Sequence, residues 1–433
     1  MSAELISILV LVVVFVIATT RSINMGALAF AAAFGVGQLV AGLDADGIFA
    51  GFPGDLFVVL VGVTYLFAIA RANGTTDWLV HAAIRLVRGR IALIPWVMFA
   101  VAGVLTGIGA VSPAAVAIVA PIALSFAARH GISPLLMGAM VVHGAQGGGF
   151  SPISIYGSIV NGIVAREKLP GSELTLFLAS LVANVLIAGV VFVLCGGLKL
   201  SSRQDGAKRR TVGTAGEGGR PEADRPETDR PEAERLTPAR IATLGALVAL
   251  VVAVLGFDLD AGLSSVTLAV LLSAFWPDTS RKAVSQIAWP TVLLICGVLT
   301  YVGVLEEMGT IDYAGDAVSD IGVPLLAAVL LCYIGALVSA FASSVGIMGA
   351  LIPLAVPFLA QGEIGAVGMV AALAISATVV DVSPFSTNGA LVLAAAPDVD
   401  RERFFRQLMV YGGIVVAAVP AAVWLVLVVP GFG

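Results

Sequence analysis

Charge is what this sequence has least of. Only 12% of its 433 residues are Asp, Glu, Lys or Arg, about half the share of an ordinary soluble domain. That shortage excludes a soluble core as the explanation for the 59% of residues that are hydrophobic. Cysteine is scarce too. Cys195, Cys296 and Cys332 are far apart and each lies within an apolar block, which points away from a disulfide framework or a thiolate metal site. With 3 histidines in the chain, no metal-spaced His/Cys cluster can be drawn. No phosphate-binding loop and no Ser/His/Asp arrangement is visible either. The expectation is a protein that is not an enzyme, holds no cofactor and has no nucleic-acid partner.

What is present is a series of apolar stretches such as Leu5 to Thr19, Leu174 to Leu200 and Gln407 to Pro430. These approach or exceed the roughly 20 residues that cross a bilayer. They are apolar all round rather than striped, as helices facing lipid or other buried helices are. The first lacks a basic leader and a clear small-residue cleavage site, so it reads as a span and not as a removable signal. The remaining charges sort by side. With five crossings and one re-entrant hairpin in each half, all the basic residues except Arg166 and Lys168 fall on one face. Asp44, Asp46, Asp55, Asp258, Asp260, Glu306 and Glu307 fall on the other. Basic residues mark cytoplasmic loops. The expected location is therefore the cell inner membrane, multi-pass, with both termini outside.

Residues 199–238 hold three tandem Arg-Pro-Glu repeats between dense mixed charges. Such a composition cannot bury enough apolar surface to fold, and it predicts a disordered cytoplasmic linker. The linker separates residues 1–198 from 239–433, and these two halves resemble each other. A shift of 232 residues lays Gly103–Gly157 on Gly335–Gly389 without a gap, and 16 of the 55 positions are identical. They include Ser112/Ser344, Pro121/Pro353, Ser151/Ser383, Pro152/Pro384, Ser154/Ser386 and Gly157/Gly389. An odd number of crossings per half makes the second copy enter the membrane upside down, an arrangement found in many secondary transporters. The fold class expected is all-α and polytopic. It has two inverted repeats of five transmembrane helices, each with a re-entrant hairpin (about 91–129 and 322–361) and a broken helix (about 131–166 and 364–395).

The chemistry gathers at the breaks. Gly147, Gly148 and Gly149 interrupt the first broken helix, since each costs about 1 kcal/mol relative to Ala. Ser151-Pro152 and Ser383-Pro384 follow the pattern of a helix start, with serine capping and proline in the first turn. They predict half-helices starting in mid-membrane with Ser151 and Ser383 as N-caps. The first hairpin turns at Gly107-Ile108-Gly109 and restarts at Ser112-Pro113, and the second carries Ser343 and Ser344 there. Four half-helix N-termini would then share one place, each with unpaired N–H donors and about half a positive charge. Together they make an anion site without a basic side chain. The expected ligands of a small anionic substrate are Ser112, Pro113, Ser151, Ser154, Ser343, Ser344, Ser383, Ser386, Thr387 and Asn388. Serine and glycine also serve close helix packing, but that role does not explain breaks at equivalent places in both halves. Asp381 is the carboxylate predicted deep in the membrane, where acids are costly and usually functional. With Gly147, Gly148, Gly149 and Thr378 it is assigned to a coupling ion or proton.

At Val111-Ser112-Pro113 through Pro121-Ile122-Ala123-Leu124, and at Asp381 through Gly389, the chain resembles the MatC-type dicarboxylate carriers of the divalent-anion:sodium symporter (ion transporter) superfamily. The resemblance covers essentially all but the linker. It implies a homodimer that moves by an elevator motion. It also implies a substrate such as malonate, malate or succinate, imported with Na⁺ or H⁺. Where that superfamily carries Ser-Asn-Thr at its hairpin tips, this chain has Val111-Ser112-Pro113 and Ser343-Ser344-Val345. Two alternatives stay open. One is a cation/proton antiporter using Asp381, and the other is a carrier of a different organic or inorganic anion.

Overall fold

The apolar blocks fold as helices that start and stop at recognisable signals. The computed structural model describes residues 2–21, 23–86, 90–200, 236–311, 313, 323–340, 344–360, 362, 364–396 and 399–431. Most of linker 199–238, and Ser343, lie outside the described residues. Helices α1 (Ala3–Arg21), α2 (Met25–Leu39), α3 (Ala45–Ala50), α4 (Gly54–Ala72) and α5 (Thr75–Leu86) open the chain. Then come α6 (Ile94–Gly107), α7 (Ser112–His130), α8 (Pro134–Gly148), α9 (Ile155–Arg166) and α10 (Glu173–Leu194). The second half has α11 (Pro238–Phe257), α12 (Ala261–Phe275), α13 (Pro277–Val284), α14 (Trp289–Glu307) and α15 (Pro324–Ser339). It ends with α16 (Ser344–Ala360), α17 (Ala366–Val379), α18 (Thr387–Ala395) and α19 (Arg401–Val423). No strand occurs among the described residues.

The start signals are local. Asn24, Ser133, Ser172, Thr237 and Asp260 each accept a hydrogen bond from the N–H three residues on, satisfying a donor that the helix cannot. Gly131, in the left-handed region at φ 63°, ends α7. Seven described helical stretches are long and apolar enough to cross a membrane, and α1, α2, α12, α15 and α16 are apolar but shorter. On α10, α11 and α19, Leu186, Val248 and Ile414 stay exposed, as side chains facing acyl chains do. The stretch Ala366–Ala395 is the opposite, with 94% of its most apolar 18-residue window buried in protein. A backbone that breaks in mid-membrane needs that cover, because lipid offers no hydrogen bonds.

The helices pack as two layers. In one, α2 lies on α14 and α4 on α12, with α1 and α11 outside. Gly26 of α2 meets the backbone of Leu293, and Gly297 of α14 meets that of Gly26. Neither site has room for a Cβ, so small residues set this close approach. The other layer holds α6 to α10 and α15 to α19. There α8 packs against α6, α7 and α10, and α17 packs against α15, α16 and α19. The halves also cross, with α7 on α18 and α16 on α9.

One expectation about the glycines needs correction. Gly147 and Gly148 do not interrupt α8, which continues through both. Gly148 is small for packing instead. A Cβ on Gly148 would strike the Gly103 carbonyl, and one on Gly144 the Phe99 carbonyl. The chain leaves the helix only at Gly149, the C-cap.

Candidate functional site

The two breaks are capped alike. In the first, the Ser154 hydroxyl donates to the carbonyls of Gly149 (2.5 Å) and Ser151 (2.6 Å) and accepts from the Gly157 N–H (3.2 Å). In the second, Ser386 donates to Asp381 (2.6 Å) and Ser383 (2.7 Å) and accepts from Gly389 N–H (3.2 Å). The N-caps are therefore Ser154 and Ser386, not Ser151 and Ser383 as the Ser-Pro pairs predict. The reason is that Ser-Pro-x first makes a turn, in which the N–H of Ser154 bonds to Ser151 O and that of Ser386 to Ser383 O. Only the serine after that turn meets the helix start. The glycine three residues beyond it is obligatory, since a Cβ there would fall on the carbonyl of Ser151 or Ser383.

The breaks and the hairpin arms converge on Asp381, in a short 3-10 turn (Val380–Val382) at the end of α17. Its Oδ1 accepts from the Ser344 hydroxyl at the start of α16 (2.5 Å). Its Oδ2 accepts from Gln146 Nε2 on α8 (2.7 Å) and from Asn388 Nδ2 on α18 (3.5 Å). Asn388 Nδ2 also donates to Ser112 Oγ at the start of α7 (2.9 Å). Four elements from both halves thus meet around one buried carboxylate, which makes no ion pair among the described residues. The remaining oxygens of the two amides, Gln146 Oε1 and Asn388 Oδ1, are buried without a hydrogen-bond partner.

Beside this cluster lies a cavity of about 800 Å³. Val111, Pro113, Tyr156, Ser344, Asp381, Phe385 and Thr387 line it from one layer, and Thr64, Phe67, Arg71, Gln286 and Thr291 are among those that line it from the other side. The N–H groups of Ser112, Ile155, Tyr156, Thr387 and Asn388 find no acceptor among the described residues. These are the orphan donors of helix first turns, and the three helix starts that carry them border the cavity through Val111, Pro113, Tyr156 and Thr387.

Of the residues expected to hold substrate, Pro113, Ser344 and Thr387 reach the cavity. Ser112, Ser151, Ser154, Ser383, Ser386 and Asn388 are not among the lining residues, and Ser343 lies outside the described residues. The hydroxyls of Ser154 and Ser386 are engaged in the caps, and Ser151 Oγ donates to Gly107 O (2.6 Å), tying the break to the hairpin turn. Ser383 Oγ accepts from Phe385 N–H (3.3 Å), and Thr378 bonds back to its own helix at Ala374 O (2.9 Å). His143, one turn before Gln146, is buried with both ring nitrogens bonded, to Asn184 Oδ1 (2.9 Å) and the Tyr411 hydroxyl (2.6 Å). Asn184 uses its amide nitrogen on Ser180 O (2.9 Å), so its oxygen accepts from Nδ1–H. The imidazole joins α8, α10 and α19 through these two bonds.

Residues 1–149 match the family model "Dicarboxylate carrier protein MatC N-terminus". That segment spans the first hairpin and α8 and stops at the first break. No curated protein sequence matches the chain. Among solved structures, the Alcanivorax borkumensis YdaH transporter, whose crystal structure is described as having an unusual topology, shares the fold. The similarity covers 88% of this chain and 89% of that one, at a TM-score of 0.56 and 13% sequence identity. The chain is a multi-pass helical membrane protein with the fold of that transporter, and its MatC-like segment includes the first hairpin and the Gln146 partner of Asp381.

Proposed function

We propose that this protein is a secondary active transporter importing a small dicarboxylate of the malonate, malate or succinate kind, coupled to Na⁺ or H⁺ at Asp381. The observation that carries the reading is the set of unpaired N–H donors at three helix starts that border one cavity. Backbone donors in a site closed to lipid favour an anion strongly, because each is otherwise an unsatisfied polar group. The MatC-like match over residues 1–149 supports a carboxylate as that anion. Exchange of cations for protons alone leaves those donors without a role.

Coupling belongs to Asp381. A lone carboxylate in the membrane is costly unless a cation or proton neutralises it. Its neighbours Gln146 Oε1 and Asn388 Oδ1 have free lone pairs, and oxygen-only sites suit hard cations. Na⁺ held there would place a positive charge beside the helix starts and raise their affinity for the substrate.

The equivalent breaks and the exchanged contacts between halves support two inverted repeats, 1–198 and 239–433. The cavity between layers supports an elevator motion of one layer against the other. The cavity reaches Asn24, Arg71 and Gln286, on the side that the basic residues assign to the cytoplasm. The conformation is then inward-open, in the inner membrane, with outside termini and a cytoplasmic linker. A homodimer follows from the family reading.

The deciding experiment is uptake of radiolabelled malonate, malate and succinate by proteoliposomes, under an inward Na⁺ gradient or an inward proton gradient. Saturable accumulation driven by one of the two is expected. Flux that neither saturates nor follows a gradient would make the protein a passive pore, and cation-for-proton exchange without any carboxylate uptake would make it an antiporter.

A further inference from the structure

Among the described residues lining the cavity, Arg71 is the one basic side chain and Asp381 the one acid. Arg71 lies in the last turn of α4, where a cation suits the helix dipole, and its position marks the cytoplasmic end of a span. Those roles alone explain an arginine that points to water or lipid headgroups. They do not explain one that, though exposed, also lines the cavity and is held on a neutral partner. There its Nε (3.3 Å) and Nη2 (3.1 Å) both donate to a single neutral acceptor, Gln286 Oε1. No carboxylate among the described residues pairs with it. Thr76, on the next helix, lines the same cavity with a hydroxyl that is buried without a partner.

The spacing along α4 fits a two-ended ligand. Thr64, Phe67, Ala68 and Arg71 line the cavity in turn, one face of the helix. At the other end of that stripe the Phe67 ring lies 3.5 Å from the Cβ position of Gly109, in the turn of the first hairpin. Arg71 sits four residues further on, about 6 Å along the axis. A four-carbon chain holds its two carboxylate carbons roughly 4 Å apart, from three C–C bonds of standard length. One carboxylate can therefore take the helix-start N–H groups while the guanidinium reaches back toward the other.

We infer that Arg71, oriented by Gln286, is a second carboxylate clamp and makes the site selective for dianions over monoanions. This rests on the dicarboxylate reading above and goes beyond it by assigning each end of the substrate. A planar guanidinium fork matches a carboxylate bidentately, which a lysine cannot do.

The test uses purified full-length protein in proteoliposomes. Whichever of malonate, malate or succinate the wild type takes up is compared with its monoamide, which keeps the shape and removes one charge. Arg71→Gln should raise the KM for the dicarboxylate about 10- to 100-fold, the range for losing charge-assisted hydrogen bonds. The inhibition constant of the monoamide should stay within about twofold. Arg71→Lys should recover part of the loss, and Gln286→Ala should shift the KM in the same direction by less. Equal weakening of both ligands, or an unchanged dicarboxylate KM in Arg71→Gln, would overturn the assignment. If Arg71→Gln fails to insert, Gln286→Ala carries the same discrimination, and an unchanged ratio of the two ligands there overturns it equally. A wild type that accumulates none of the dicarboxylates would instead sink the transport reading, and the clamp with it.

Discussion

Asp381 accepts from three side chains that come from three different helices, Ser344, Gln146 and Asn388. Replacing it by asparagine removes the charge but keeps the shape. The new amide can be accommodated, because Gln146 has an unpartnered oxygen and can turn over to accept. Asp381→Asn is therefore expected to insert and melt within a few degrees of wild type. It should lose ion-driven accumulation and keep at most downhill exchange. Both can be read in one preparation, by a thermal melt and by uptake with and without the gradient. Full accumulation by the mutant would remove Asp381 from coupling. Asp381 was legible as a lone acid within an apolar run. Its pairing with Gln146, a residue visible beside the first break, was not, because the two lie 235 residues apart and nothing local links them. Arg71 was visible as a basic residue at a span end, and its place among the cavity-lining residues depends on packing that only the fold supplies.

The half-helices depend on contacts of a few atoms. Ser154→Ala or Ser386→Ala removes one cap and two further hydrogen bonds to carbonyls of the break. The cap alone is worth about 1 kcal/mol, so each variant should lower the melting temperature by several degrees. Gly157→Ala and Gly389→Ala drive a Cβ into the Ser151 or Ser383 carbonyl. They should cost about 1–3 kcal/mol, as overpacking does. Gly189→Ala is the control, for nothing lies within 4 Å of its Cβ position, and it should leave the protein equal or slightly more stable. Equal melting of Gly157→Ala and Gly189→Ala in detergent would show that the break relaxes freely. The existence of both breaks could be read from Ser-Pro-x-Ser-x-x-Gly. Their register could not be read from Ser-Pro alone, because that pair serves equally for a cap with its first residue and for a turn. The glycine at the third helical position decides it, since the capping hydroxyl accepts from that residue's N–H. The glycines before the first break misled for a related reason: in a membrane a small residue is as often a packing surface as a helix breaker.

At the scale of the molecule, the cavity lies where the two layers meet, and the way these layers slide is the proposed transport step. Contacts within a layer are backbone-close, as at Gly26 with Leu293 and Gly148 with Gly103. Between α14 and α16 the layers meet through side chains and not backbone, whereas at α4 the Cβ position of Gly109 falls on Val63 Cγ1 and that of Gly162 falls 2.7 Å from Leu56 Cδ2. The Cβ position of Gly349 on α16 lies 3.5 Å from Val298 Cγ1 on α14, and that of Gly346 lies 3.3 Å from Met25 Sδ on α2. Interlocked backbones resist shear and smooth apolar faces permit it, so the plane of motion should pass between α14 and α16. Val298→Cys with Gly349→Cys, in a chain whose Cys195, Cys296 and Cys332 are replaced, puts two thiols across that plane. Transport should proceed until Hg²⁺ bridges them and then stop, with recovery on adding excess thiol. Gly335→Cys with Leu351→Cys is the matched pair within one layer, joining α15 to α16 where the Cβ position is 3.1 Å from Leu351 Cδ1. Hg²⁺ there should leave uptake largely intact, because those helices travel together. Continued transport by the bridged Val298/Gly349 pair would exclude sliding at this plane and leave local opening of the hairpins as the way to reach the cavity.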